Sequence, residues 1–257
     1  MSVLIAITGK GGVGKTTVAA LVVARLIARG CRPVLAVDAD PNSCLDAALG
    51  LRAAKTVGGV REEARQLASE GMAGGVPKQA LLQLKIAESL VEASDFDLIA
   101  MGRPEGPGCY CYANNVLKAA LGELAHEYPY VVLDNEAGLE NLSRRIVQKV
   151  DLLVMVTDPS RRGLETVRRL HALTHEMETR YDRLALVVNR LRRDELPPEA
   201  FAVKAETGAD FLLGIPEDGE LAAFGEDGRS LLDLPAGNPA AGRLDALLDQ
   251  AGMLTRA

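Results

Sequence analysis

Apolar residues in this chain fall in short, near-continuous runs: 3–7, 33–38, 97–101, 130–134, 151–157, 184–189 and 211–215. A strand buried on one face alternates apolar with polar, whereas a strand buried on both faces does not. These runs therefore predict inner strands of a sheet covered on both sides. Between them, apolar positions at helical spacing predict helices over 15–29, 80–93, 113–127, 139–149, 161–179 and 196–206. Alternating strand and helix implies right-handed crossovers and an α/β fold with a doubly wound, mostly parallel sheet flanked by helices. No repeat or long linker divides the chain, so 1–257 reads as one domain. The Gly- and Ala-rich stretch 51–77 reads as a mobile insertion with one short helix around 60–69.

Composition narrows this picture. Apolar residues make up 48% and aromatics only 4%, so the core must be aliphatic. The net charge of −6 argues against broad nucleic-acid binding, which needs a basic face. Arg161, Arg162, Arg168 and Arg169 are clustered, but with Glu165 among them they read as a solvated helix face. No leader precedes the first strand, and no apolar run reaches membrane-spanning length. The segment 244–254 carries too little positive charge for a membrane-surface anchor. The expectation is a cytoplasmic protein, in which four cysteines are not a disulfide framework.

The first strand leads into Gly9-Lys10-Gly11-Gly12-Val13-Gly14-Lys15-Thr16-Thr17, which fits G-x-x-x-x-G-K-[ST]. Glycines let backbone N–H groups turn inward around phosphate oxygens. Lys15 adds charge at the outer phosphates, and the Thr16 hydroxyl can ligate Mg²⁺. The helix that follows places its positive end under the anion. This predicts a P-loop NTPase site for ATP and ADP.

Two further strands end in carboxylates. Val34-Leu35-Ala36-Val37 runs into Asp38-Ala39-Asp40, at the sheet edge where such ligands bind. Asp38 is expected near Mg²⁺ or its water shell; a plain turn with Asp40 capping a short helix is the structural alternative. Tyr130-Val131-Val132-Leu133-Asp134 has the Walker B pattern, whose carboxylate holds Mg²⁺ through water. Asn135-Glu136-Ala137-Gly138 follows as a candidate switch, with Glu136 open to sensing nucleotide or touching a client. On the base side, Asn189 ends a strand with an amide, and Ile215, Pro216, Glu217 and Asp218 form a second candidate base-contacting loop. No N-K-x-D signature for guanine is present there, which favours ATP.

Lys10, a second lysine just inside the loop, marks a resemblance to the deviant Walker A ATPases. That family includes nitrogenase iron protein, the arsenite-pump and tail-anchored-protein-targeting ATPases, and the cell-division and plasmid-partition ATPases. The resemblance implies that Lys10 crosses a homodimer interface to the partner's nucleotide, delivering positive charge where the transition state builds negative charge. It also implies that Asp40 is the switch aspartate that positions the attacking water. Lys10, Lys15 and Asp40 are accordingly the expected catalytic residues of an ATPase.

The stretch Gly102-Arg103-Pro104-Glu105-Gly106-Pro107-Gly108-Cys109-Tyr110-Cys111-Tyr112 precedes a predicted helix. A helix N-terminus favours thiolate, and i, i+2 spacing in extended chain puts both sulfurs on one side. Two thiolates do not close a tetrahedral site, but a two-fold dimer would supply four, suited to Zn²⁺ or Ni²⁺. A reduced, partly buried pair or a transient redox pair fits the spacing as well. The run G-R-P-E-G-P-G-C-Y-C-Y-x-N-N, with the loop and Asp134-Asn135-Glu136-Ala137-Gly138, resembles the carbon monoxide dehydrogenase maturation factors. That resemblance implies an ATPase assisting nickel insertion, with carbon monoxide dehydrogenase or the related acetyl-CoA synthase as client, and metal at Cys109 and Cys111. Rival readings are an iron–sulfur reductase like nitrogenase iron protein, or a positioning ATPase of the partition kind. Cys31 and Cys44 read as small packing residues. His171 and His175, spaced i, i+4, read as a surface or partly buried pair, and His126 has no sequence partner.

Overall fold

The computed structural model describes residues 2–60, 62–63, 84, 86–103, 117–118, 121–122, 124–136 and 149–254. Its centre is an eight-stranded sheet. The strands are β1 (Val3–Gly9), β2 (Val34–Asp38), β3 (Leu90–Glu92), β4 (Phe96–Ala100), β5 (Tyr130–Asp134), β6 (Val150–Thr157), β7 (Tyr181–Leu191) and β8 (Phe211–Pro216). Their spatial order is β3-β4-β2-β5-β1-β6-β7-β8, and every pairing is parallel except β3 with β4. The described helices flanking it are α1 (Lys15–Ala28), α2 (Leu45–Ala48), α3 (Arg161–Glu176), α4 (Pro198–Thr207), α5 (Gly219–Glu226) and α6 (Pro239–Gln250).

The near-continuous apolar runs have a direct explanation in the two cores. Val3, Ile5 and Ile7 of β1 pack with α1 and α6 on one face, while Leu4 and Ala6 pack with α3 and α4 on the other. Strand β2 divides in the same way, Val34 and Ala36 to one side and Leu35 and Val37 to the other. A period of two with both faces buried erases the polar half of the pattern. The α1 face is closed by Leu244, Leu247 and Leu248 of α6, and the Arg25 guanidinium clamps Asp245 with two bonds at 3.0 and 2.7 Å.

Several expectations need correction. The helix foreseen over 80–93 cannot extend to its end, because Leu90–Glu92 is an edge strand paired antiparallel with β4. Leu90 and Val91 gain more from that ladder than from a last helical turn. Helices α5 and α6 and a 3₁₀ turn at Leu231–Asp233 were absent from the sequence reading. Segment 244–254, weighed as a surface anchor, is instead core on its apolar side. Among the described residues no helix is long and apolar enough to cross a membrane. Residues 57–60 and 62–63 are helical, which starts the short helix of the 51–77 stretch earlier than foreseen; 64–77 lie outside the described residues. The same holds for most of the helices foreseen over 113–127 and 139–149.

Candidate functional site

The loop between β1 and α1 is built by glycines that could be nothing else. Gly9 has φ +152°, and a Cβ there would stand 2.2 Å from the Val156 carbonyl oxygen of neighbouring β6. Gly14, at φ +93°, turns the chain into α1, and a Cβ on it would meet the Asn189 amide at 2.5 Å. That amide is a strut: Asn189 Nδ2 donates to the Val13 carbonyl at 2.8 Å, and the Arg190 guanidinium donates to the Gly12 carbonyl at 3.1 Å. With the Gly12 and Val13 carbonyls held by groups outside the loop, the chain is set with its N–H side toward the loop's interior. Lys15 is buried and its Nζ donates to the Lys10 carbonyl at 3.4 Å, which folds the lysine back over the loop as a P-loop lysine must lie. Lys10 and Gly11 are exposed at the rim; Thr16 and Thr17 are half-buried at the start of α1.

Behind the loop stand Asp38 and Asp134. They are direct partners in the β2–β5 register, and Asp134 is also opposite Ile7 of β1. Both are fully buried. Asp38 accepts from Asp40 N at 3.0 Å through one oxygen and from Leu45 N at 2.9 Å through the other. Burial pushes its carboxyl up to about 6, against those two backbone bonds that lower it. Asp134 is pushed up to about 7, by burial first; the Thr16 hydroxyl bond lowers it, Asp38 raises it and Lys15 lowers it. Its Oδ1 is buried with no hydrogen-bond partner among the described residues. A buried, orphaned carboxylate oxygen beside a threonine hydroxyl is a costly arrangement unless a cation completes it. Asp134 and Thr16 therefore fit a hard divalent ion such as Mg²⁺, with Asp38 beside them holding backbone N–H groups through both oxygens. No cluster of three or more His, Cys, Asp or Glu among the described residues forms a protein-only metal cage. An ion at this position would draw on phosphate oxygens and water, as Mg²⁺ does.

Asp40 lies at the edge of this pair. Its Oδ1 accepts from Asn42 N at 2.8 Å and from Asn42 Nδ2 at 3.0 Å. The helix cap foreseen as an alternative for Asp40 is not made by it: Asp38, not Asp40, receives the first amide of α2. Asn135, next to Asp134, is buried and anchors its Nδ2 on the Ile7 carbonyl at 2.9 Å. Glu136 is half-buried, and residues 137–148 lie outside the described residues.

On the foreseen base side, the residues also make contacts within the chain. Asn189 is spent on Val13 and, through Oδ1, on Arg190 N at 3.0 Å. Asp218 is the N-cap of α5, accepting from Leu221 N at 2.9 Å, with its second oxygen on Asn238 Nδ2 at 3.0 Å. Ile215 is buried in β8 and Pro216 ends that strand; Glu217 N donates to the Leu191 carbonyl at 2.9 Å.

Helix α3 starts at the same sheet edge, its Ser160 cap accepting from Gly163 N at 3.0 Å. Between it and Lys10 lies a groove of about 520 Å³ lined by Lys10, Arg161, Arg162, Glu165, Arg169 and Glu199 among others. The arginines lie on the solvated helix face that was expected, three of them exposed and Arg168 half-buried. Arg168 is held between Glu199 at 2.7 Å and Glu206, while Arg161 and Arg162 stand exposed. His171 and His175 meet edge to face with ring centroids 4.7 Å apart, and Tyr181 OH lies 3.3 Å from His171 Nε2. Cys31 is buried as expected, but Cys44 is exposed at the N-cap of α2 and so is not a packing residue. A four-residue helix leaves that position facing out. Partial loss of solvent around the sulfur first, then the charges of Asp38, Asp40, Asp46 and Asp134, push its thiol up from the ordinary value. Cys109 and Cys111 lie outside the described residues.

A family model described as an AAA domain matches residues 1–186. An uncharacterized ATP-binding protein of Methanocaldococcus jannaschii is 40% identical over 237 residues, 91% of this chain and 92% of that protein. The carbon monoxide dehydrogenase accessory protein CooC of Rhodospirillum rubrum is 31% identical over 263 residues, 96% of this chain and 97% of its own. Among solved structures, the septum site-determining protein MinD of Pyrococcus horikoshii, complexed with Mg-ADP, superposes with a TM-score of 0.67 at 20% identity, and the match covers 100% of both chains.

Proposed function

The chain belongs to the AAA domain family and shares the fold of the MinD and ParA ATPases, and from that premise we propose that it is a P-loop ATPase that hydrolyses ATP to drive nickel insertion into a carbon monoxide dehydrogenase or the related acetyl-CoA synthase. The observation that carries the nickel step is the 31% identity to CooC along almost the whole of both chains. The sequence stretch Cys109-Tyr110-Cys111 supports it, since it offers the soft thiolate ligands that a nickel cargo needs.

In this reading the phosphates of ATP enter the loop from Gly9 to Thr17, with Lys15 against the outer phosphates. Thr16, with Asp134 and Asp38 through water, would hold Mg²⁺, which when bound would neutralise charge on the phosphates. Asp134 must be ionised to do this, and a cation beside its orphaned oxygen would favour the ionised form. Asp40 orients water toward the γ-phosphate. Lys10, exposed at the rim, is free to reach the nucleotide of a second copy, so that turnover takes place in a homodimer. The two Cys109/Cys111 pairs then share the nickel cargo at the dimer axis, and loss of the γ-phosphate loosens the dimer and hands the metal on.

Metal titration of the anaerobically purified protein with ATP or ADP tests the reading. One thiolate-bound Ni²⁺ or Zn²⁺ per dimer is expected in the wild type and none in Cys109→Ala/Cys111→Ala. An unchanged metal stoichiometry in the double variant overturns the cysteine site. Visible absorbance from a bound cluster would point instead to an iron–sulfur reductase.

A further inference from the structure

The turn after β2 and the end of β4 are fastened together at three points. Met101 N donates to the Asp38 carbonyl at 2.8 Å, Gly102 N donates to Ser43 Oγ at 3.1 Å, and the Arg103 guanidinium donates to Asn42 Oδ1. Asn42 has a second commitment, because its Nδ2 and its backbone N both donate to Asp40 Oδ1. An amide side chain has one acceptor end and one donor end. Asn42 spends the first on Arg103 and the second on Asp40.

The far end of this chain of bonds is fixed. Gly102 has φ +61°, and a Cβ there would stand 2.2 Å from Thr56 Oγ1, so Thr56 fills the space beside it. Met101 is buried and its carbonyl accepts from Gly58 N at 2.8 Å. Arg103 thus departs from a pinned backbone. The near end is the Asp40 carboxylate, and with Oδ1 filled its Oδ2 remains uncommitted among the described residues.

We propose that Asn42 and Arg103 are positioning residues for Asp40, forming an Arg103–Asn42–Asp40 relay that sets the direction of its free carboxylate oxygen and ties the hydrolytic turn to the end of β4. The relay rests on the reading of Asp40 as the water-orienting group. Asn42 and Arg103 are both exposed, so water competes for these bonds and they add little to stability. A rate effect can therefore be separated from a folding effect.

The test measures kcat and KM for ATP, with the thermal midpoint, in the wild type, Asn42→Ala, Arg103→Ala and the double variant. Each single change is expected to lower kcat about tenfold through misplacement of Asp40, with KM within about twofold and an unmoved thermal midpoint. The double variant is expected to be no slower than either single, since both act through one chain of contacts. Arg103→Lys, which keeps one donor, should recover part of the loss. Unchanged kcat in Asn42→Ala, or losses that multiply in the double variant, overturns the relay while leaving Asp40 in place. A wild-type protein that does not hydrolyse ATP overturns the hydrolytic reading and the relay with it.

Discussion

Asp38 and Asp134 stand side by side at the ends of adjacent parallel strands, both without solvent access, and only Asp38 has both carboxylate oxygens hydrogen-bonded. On top of burial, the Asp38 charge raises the proton affinity of Asp134, and the Asp40 charge raises that of Asp38. Without metal the pair keeps protons that the unfolded chain would release.

That gives a pH dependence with a definite sign. Asp38 is raised to about 6 and Asp134 to about 7. The folded state therefore binds more protons than the unfolded one between the ordinary carboxylate range, about 4, and those values. Stability contributed by these protons is present below about pH 4 and is lost as pH rises through about 7. Free of Mg²⁺ and nucleotide, the protein is expected to be less stable at pH 8 than at pH 6, by about 1–2 kcal/mol, and to melt at a correspondingly lower temperature. Asp134→Asn should flatten that decline and raise the melting point at pH 8, while abolishing Mg²⁺-dependent turnover. Thermal scans across pH, with and without Mg-ATP, check both.

Asn189 braces the phosphate loop. Asn189→Ala removes the bond to the Val13 carbonyl and leaves a buried acceptor unpaired, at a cost of about 1–3 kcal/mol. The expected result is a lower melting point together with weaker Mg-ATP binding, read by calorimetry. A variant with normal stability and altered preference between ATP and GTP would return Asn189 to the base.

Asp218 allows the converse test. As the N-cap of α5 its replacement by Ala should cost about 1 kcal/mol, with Asp218→Asn or Asp218→Ser close to neutral. Nucleotide affinity should follow stability, not the charge at this position. Equilibrium unfolding and nucleotide titration of the three variants give the answer.

Lys10 is expected to separate binding from turnover. Lys10→Ala should bind ATP normally and lose turnover by about a thousandfold, the scale of a missing cationic finger. Mixed with a catalytically dead Lys15→Ala chain that retains Lys10, it should stay inactive in its own site only if the lysine acts within one chain. Recovery of activity in the mixture is the outcome expected for action across the dimer.

How far the sequence was legible depends on what each residue touches. The inner strands were readable because both faces are buried, and the phosphate loop because Gly9 and Gly14 have no room for a side chain. Asp38 and Asp134 were readable as strand-end carboxylates. Strand β3 was not, since three residues at an edge carry no period of their own. Helix α6 was missed because its Leu244, Leu247 and Leu248 are spread among Ala, Gly and charged residues. Asn42 was missed for another reason: its meaning lies in two partners, of which Arg103 is 61 positions away. Signals were nonetheless present in the Asn238-Pro239 cap of α6 and the Asp218 cap of α5.

The clamp of Arg25 on Asp245 has a practical side. The segment matched by the family model stops at residue 186, inside β7, yet the face of α1 behind the phosphate loop is sealed by α6, more than fifty residues further on. A shortened chain ending at the family boundary would carry every loop residue and still present Leu21, Val22 and Leu26 to water. Affinity tags and proteolytic trimming are therefore best confined to the few residues after α6, and the minimal expressible unit is close to the whole chain.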